Sequence, residues 1–315
     1  MNSRQLAKTW PFPRYRAYQK AMRKIATEWF DKKDLPRNAK YSFVLDKWEH
    51  WPQNMVLPEV AEYIARCRTE CEAAGKPFPL HKYLHHGLSS QAMAFNLVGP
   101  LIVRNDYQPL TDALEAVGVR CDKQICDAVF EYEDRQIFNE DSGQPTSIDI
   151  VLKNGDGLPF IFVESKMMEP EFGGCTVLSA GDCSGQNPLP EKSGCYLHHI
   201  GRKYWTLAEE YGIAKLAKNE GMCILAIYYQ FFRELLFALE HDGIFVLLHD
   251  ERSPVFHCEA SGVNRGLMPT LMKYVPEEYR SRIGSVSMQR LSRHIGLSEK
   301  HQDWIDDFQR KYGIS

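Results

Sequence analysis

No run of about 18 consecutive apolar residues occurs in the 315-residue sequence, which argues against a membrane-spanning helix. Residues 1–10 lack the apolar segment of a secretory signal. The nine cysteines include no C-x-x-C pair, and their odd number in a chain without a signal segment argues for reduced thiols in a reducing compartment. A cytoplasmic protein is the expectation. P-loop, G-x-G-x-x-G and G-x-S-x-G patterns are absent, so NTPase, dinucleotide-binding and serine-hydrolase readings lack support. His81, His85 and His86 include an i, i+4 pair, but the Glu of H-E-x-x-H is missing. There is no internal repeat and no low-complexity tract.

What is present is ordinary in bulk: 44% hydrophobic and 25% charged residues, at a net charge of −3. The length suits one principal domain with additions. The charge is unevenly placed. Residues 1–40 carry eleven basic side chains against three acidic ones, interleaved with Trp10, Phe12, Tyr15, Tyr18, Trp29 and Phe30. Such a segment suits phosphate attraction and stacking, or equally a solvated helical face.

The chain reads in three stretches: a basic, helix-leaning 1–80, a strand-and-helix core 81–258, and helical pieces over 259–315, with Ser298 capping an amphipathic run that ends at Gly313. Within the core, Ser89-Ser90 open a short helix that Gly99-Pro100 should stop. Residues 128–133, 146–153, 160–167, 223–229 and 244–249 read as strands, and 200–218 and 230–241 as helices. Several strands are apolar on both faces, as when helices cover both sides of a sheet. The fold class is α/β, a mixed central sheet flanked by helices with helical terminal additions.

Chemistry concentrates in Ser147-Ile148-Asp149-Ile150-Val151 and, after a turn, Ile161-Phe162-Val163-Glu164-Ser165-Lys166-Met167. If Asp156-Gly157 is a two-residue turn, paired residues sum to 313 and Asp149 lies opposite Glu164, with Lys166 two residues on along the same face. A turn at Asn154-Gly155 would separate the acids. Like charges opposed inside apolar strands destabilise each other unless compensated. A divalent cation with hard oxygen ligands supplies the compensation, and a nearby lysine can orient water or stabilise charge on a phosphate. The bland alternative is a Glu164–Lys166 salt bridge at a sheet edge.

At these residues the chain resembles the PD-(D/E)xK nuclease superfamily, with its restriction-endonuclease-like fold, and within it bacterial restriction-endonuclease families of undefined specificity. The resemblance covers roughly residues 89–233, with Ile148 standing where the superfamily name places proline. It implies Asp149, Glu164 and the Ser165 carbonyl as ligands of Mg²⁺ or Mn²⁺, and Lys166 as the residue positioning the attacking water.

Around that centre, Gln91 on the preceding helix is a candidate for metal or phosphate contact, with Asn96 bonding backbone instead. Gln230 and Arg233, at a helix start, suit a scissile strand, where backbone amides also favour phosphate. Each of these has an ordinary reading as polar residues of a capped helix. Glu131 is a candidate additional carboxylate. Cys175, Cys183, Cys195, His198 and His199 lie in a Gly/Pro/Ser-rich stretch and invite a structural Zn²⁺ or, alternatively, thiols packed beneath a loop. Cys67/Cys71 and Cys121/Cys126 carry less signal.

The reading that follows is a Mg²⁺-dependent endonuclease acting on DNA, double-stranded in the first instance, of restriction or phage-defence type. Double-strand cutting would suit a homodimer or a defence-system partner. The rival is a non-catalytic nucleic-acid-binding protein with a zinc-stapled loop, and opposed carboxylates count against it.

Overall fold

The computed structural model of the chain describes residues 2–143 and 145–314. Its centre is a five-stranded sheet with spatial order β1-β2-β3-β4-β5: β1 (Asp127–Glu133), β2 (Ser147–Lys153), β3 (Pro159–Lys166), β4 (Ile244–His249) and β5 (Ile283–Ser287). The first three strands form an antiparallel meander, and β4 and β5 add in parallel. The longer helices are α1 (Tyr15–Lys32), α2 (Pro58–Ala73), α3 (Ser90–Val103), α4 (Gln108–Glu115), α5 (Tyr229–Glu240), α6 (Met288–Gly296) and α7 (Ile305–Tyr312). Among the described residues no helix is long and apolar enough to cross a membrane.

Two apolar layers sandwich the sheet. Ile161 and Val163 of β3 pack with side chains of α2, α3, α4, α6 and α7, while Phe162 between them packs with α5. That is the period-2 alternation of a strand covered on both faces. Alternation also sets which residues of β3 meet α5: after Phe162 come Glu164 and Lys166.

Four local expectations are corrected. The apolar run at 223–229 is no strand but contains a single helical turn, Ile224–Ile227, tied to loops by Cys223 N–H donating to Gly185 O at 2.8 Å and Cys175 N–H donating to Ala226 O at 3.0 Å. The helix expected over 200–218 is two short ones, Tyr204–Glu210 and Ile213–Ala217, parted by Gly212 at φ +72°. Gly99-Pro100 does not end α3, which runs on to Val103; Gly99 instead allows close approach to Val60, whose Cγ1 would stand 2.7 Å from an added Cβ. The stretch 259–315 is not purely helical, since it supplies β5 to the sheet edge. At its far end the helical run does stop at Gly313, in the left-handed conformation at φ +61°.

The basic helix α1 is pinned to the end of the central strand. Tyr15 Oη donates to Met168 O at 2.6 Å and Tyr18 Oη to Met167 O at 2.8 Å. Tyr18 Oη also lies 3.0 Å from Asp250 Oδ2, a buried carboxylate held by Arg252 and by Gln289 Nε2. These bonds place α1 beside the C-terminal end of β3, where Lys166 stands.

Candidate active site

The β2–β3 ladder pairs Ile150 with Val163, Val151 with Phe162 and Leu152 with Ile161, all summing to 313. The turn behind it is not the two-residue Asp156-Gly157 hairpin. Asn154 N–H donates to Leu158 O at 3.0 Å, and the Asn154 side chain accepts from the N–H groups of Asp156 and Leu158. Lys153 therefore pairs with Pro159, one step off the expected register. A bulge makes up the difference: Phe160 and Ile161 turn into the same apolar layer, and the ladder beyond resumes the 313 register. One further step along that ladder sets Asp149 against Glu164.

On the other side, β1 pairs Phe130 with Ile150 and Tyr132 with Ile148, which sets Glu131 opposite Asp149. Glu131, Asp149 and Glu164 thus form a row of acids across three strands. Glu131 adopts φ +53°, a left-handed conformation costly for a non-glycine residue and concentrated at functional sites. Its consequence is visible in the packing: Phe130 joins the α3 layer, whereas Tyr132 packs in the α5 layer.

The row is held from both sides. Asp149 Oδ2 accepts the Ser165 N–H at 2.9 Å. Glu131 accepts from Gln91 Nε2 at 2.6 Å and from Ser147 Oγ at 2.9 Å. Glu164 Oε1 accepts from Gln230 Nε2 at 2.6 Å and lies 2.6 Å from Lys166 Nζ, while buried Glu164 Oε2 has no partner among the described residues. Lys166 Nζ also donates to Gln230 Oε1 at 2.8 Å. Glu164, Ser165 and Lys166 are all buried, Glu164 at 2% exposure.

Electrostatics follow from this crowding. Burial, then the charges of Glu164 and Glu131, push Asp149 well above the usual carboxylate range. Burial likewise raises Glu131 to about 7, although its bonds from Gln91 and Ser147 oppose the rise. Burial pulls the Lys166 ammonium down, but Glu164, Glu169, Glu234 and Asp149 outweigh it and hold its pKa above the ordinary lysine value. The site carries more negative charge than one lysine neutralises.

The supporting residues divide. Gln230 joins the centre through its side chain, but its backbone amide is spent on Gly173 O at 3.0 Å, so the helix-start amide expected to meet phosphate is occupied. Arg233 lines the same cleft, its guanidinium 4.9 Å over the Tyr229 ring and its Nε buried without a partner. Gln91 is braced by His81 N–H and Pro79 O and clamps Glu131. Asn96 is a buried backbone clamp, accepting from Val56 N–H and donating to Asn54 O. Among the described residues no group of three or more His, Cys, Asp or Glu side chains stands ready to hold a metal ion. Cys175, Cys183, Cys195 and His198 are therefore not gathered as the side-chain cage that a structural zinc requires. A Mg²⁺ site differs, since one or two carboxylates with water complete it.

Three contributors escaped sequence reading. Glu234, one turn after Gln230, is 0% exposed with both carboxylate oxygens unpartnered among the described residues, and burial followed by Glu164 raises its pKa strongly. Its signal was an acid inside the apolar run Phe231–Leu239, at i+4 from a site residue. Glu169 ties Ser90 Oγ and Met167 N–H at the cleft floor, and Tyr83 forms part of its wall.

The cleft holds about 460 Å³ and opens over Asp149, Glu164 and Lys166. A mixed sheet between helical layers, bearing such a row at one end, is compatible with a restriction-endonuclease-like core. Residues 20–313 match the model of the family described as restriction endonuclease associating with ARP, and the chain belongs to that family. No curated protein and no solved structure matches it.

Proposed function

We propose that the chain is a divalent-metal-dependent nuclease of the PD-(D/E)xK type that hydrolyses phosphodiester bonds of DNA, in a restriction or phage-defence role. The observation that carries the reading is the unpartnered, buried Glu164 Oε2 beside Asp149 and Lys166. A buried carboxylate oxygen left without a donor while like charges crowd it costs stability, and a hard cation accounts for its retention. Asp149, Glu164 and the Ser165 carbonyl would hold Mg²⁺ or Mn²⁺. A bound divalent ion supplies polarisation of the phosphate and a more acidic water at neutral pH.

The chain's own residues do the rest. With Oε1 engaged by Gln230 and Lys166, Glu164 would offer Oε2 to the ion, and Lys166 Nζ would hold a water or a phosphate oxygen in the cleft. Gln230, bonded to both Glu164 and Lys166, keeps the two side chains in place. Glu164, 2.6 Å away, is the main counter-charge that keeps the Lys166 ammonium protonated, while burial drives Glu234 toward its neutral form. Gln91 fixes Glu131 at the rim, and Arg233 faces the incoming strand. The family membership adds support for a nuclease-like or defence role. The rival reading as a zinc-stapled binding protein leaves the opposed carboxylates and Lys166 without a role.

The test is incubation of the purified chain with supercoiled plasmid and with RNA, in Mg²⁺, Mn²⁺ or EDTA. Nicked or linear DNA only with metal is the expected outcome. Intact nucleic acid under every metal condition would overturn the proposal.

A further inference from the structure

Beside the catalytic cleft lies a second cavity of about 330 Å³, and both are lined by His81, Tyr83, Ser90 and Glu169. The two adjoin along that shared lining as a trough of two parts, one over Lys166 and one against α1. Resting on the nuclease reading, we infer that the second half of the trough is a nucleobase subsite: it takes the base of a nucleotide adjoining the scissile phosphate, turned out of the helical stack.

The walls suit a planar ring. His81 and Tyr83 have ring centroids 5.0 Å apart, and Tyr83 and His86 are 4.8 Å apart, forming a run of three rings. Phe43 adds a fourth ring to the lining, with the Arg23 guanidinium 5.4 Å over it. Tyr83 is 46% exposed, an aromatic surface that no core packing requires. Burial pulls the His86 imidazole down to about 4 and His81 also downward, so near neutral pH both present uncharged rings.

The polar groups suit a nucleotide. Gln19 and Arg23 reach in from α1, which its two tyrosine hydroxyls fix to the carbonyls of Met167 and Met168. Arg23 is placed to meet a backbone phosphate, and the amide of Gln19 to meet a base edge. Glu169 accepts one bond at each oxygen, from Ser90 Oγ at 2.6 Å and Met167 N–H at 2.7 Å, and its remaining lone pairs face donors such as a base amino group. A cavity of this size admits one nucleotide and not a duplex, so the base must leave its stack, as it does where enzymes read extruded bases. The shared lining puts it next to the bond over Lys166.

The experiment measures binding in EDTA, where no cutting occurs, of fluorescein-labelled duplex and single-stranded 20-mers to wild type, Tyr83→Ala and Arg23→Ala. Tyr83→Ala should weaken binding by roughly 5- to 100-fold, the range of one base–aromatic stack. Arg23→Ala should weaken it and lower the salt dependence by about one counterion. Photocrosslinking of an oligonucleotide carrying 5-iododeoxyuridine should map to Tyr83, His81 or Phe43. Wild-type affinity in both variants, absence of DNA binding by wild type, or crosslinks confined to residues outside the trough would overturn the subsite. The two readings fail separately. Loss of affinity in Tyr83→Ala with no Mg²⁺-dependent cleavage by wild type keeps the subsite and removes the nuclease, whereas cleavage with unchanged affinity in both variants does the reverse.

Discussion

Asp149→Asn gives a sharp test, because catalysis and stability should move in opposite directions. In the metal-free protein, Asp149 stands between Glu131 and Glu164 in adjoining strands, with Cβ atoms about 5 Å apart in such pairs. Two unit charges at that separation repel by about 3 kcal/mol at an effective dielectric of about 20. Lys166, 2.6 Å from Glu164, offsets part of that, and the upward shift of Asp149 shows that protonation relieves more. The asparagine keeps an oxygen for the Ser165 N–H and removes the charge. A net gain of about 1–3 kcal/mol follows, a rise of roughly 1.5–4.5 °C in melting temperature for a chain of this size. The assay is thermal unfolding in EDTA and in excess Mg²⁺, beside plasmid cleavage. The expected result is a higher midpoint than wild type in EDTA, no further rise on adding Mg²⁺, and no cleavage. A variant that melts lower in EDTA and still responds fully to Mg²⁺ would refute the reasoning, since Asp149 would then be an ordinary structural acid.

Three further predictions use other parts of the molecule. Glu131 and Asp149 have folded pKa values above their unfolded ones, so the stability they contribute is full below about pH 4 and is lost as pH rises through the folded values, about 7 for Glu131. Metal-free melting temperature should therefore fall between pH 5 and pH 8 while the Mg²⁺-induced rise grows; a Mg²⁺ shift that does not change with pH contradicts this. Glu234→Leu replaces a buried acid, unpartnered among the described residues, with an apolar group, so the melting temperature should hold or rise; a lower melting temperature opposes it. Gly99→Ala would set a Cβ 2.7 Å from Val60 Cγ1 and should cost about 1–3 kcal/mol in urea unfolding, with Val60→Ala restoring most of the loss; unchanged stability would show that α2 and α3 separate freely.

The legible parts of the sequence were those with strong local periodicity. β2, β3 and β4 stood out because Ile, Val and Phe fill them, and the acids stood out against that background. Register was reached by compensation: the turn is one residue longer in its bonding than a tight hairpin, and the bulge at Phe160 cancels the difference. A bulge leaves no composition signal of its own. Ile224–Ile227 was misread because a short apolar run packs equally well as a buried helical turn or a strand, and only its loop partners decide. β5 was missed because Gly284, Ser285 and Ser287 dilute its pattern, and its parallel pairing with β4 is non-local. Gln230 and Lys166 could be proposed separately, but their shared contact with Glu164 spans 66 and 2 residues of sequence and is set by how α5 lies on β3. The trough by α1 was equally hidden, since two tyrosine hydroxyls fix that helix across some 150 residues of chain.

The central claim is that Asp149, Glu164 and Lys166 form one metal-dependent hydrolytic centre. Its most direct test is plasmid cleavage in Mg²⁺ or Mn²⁺ by wild type, Asp149→Ala and Lys166→Ala, each first shown to be folded by circular dichroism. Cleavage by wild type alone, abolished by EDTA and reduced at least a hundredfold in both variants, is the predicted result. Metal-dependent cleavage undiminished in both variants would place the chemistry elsewhere and contradict the account.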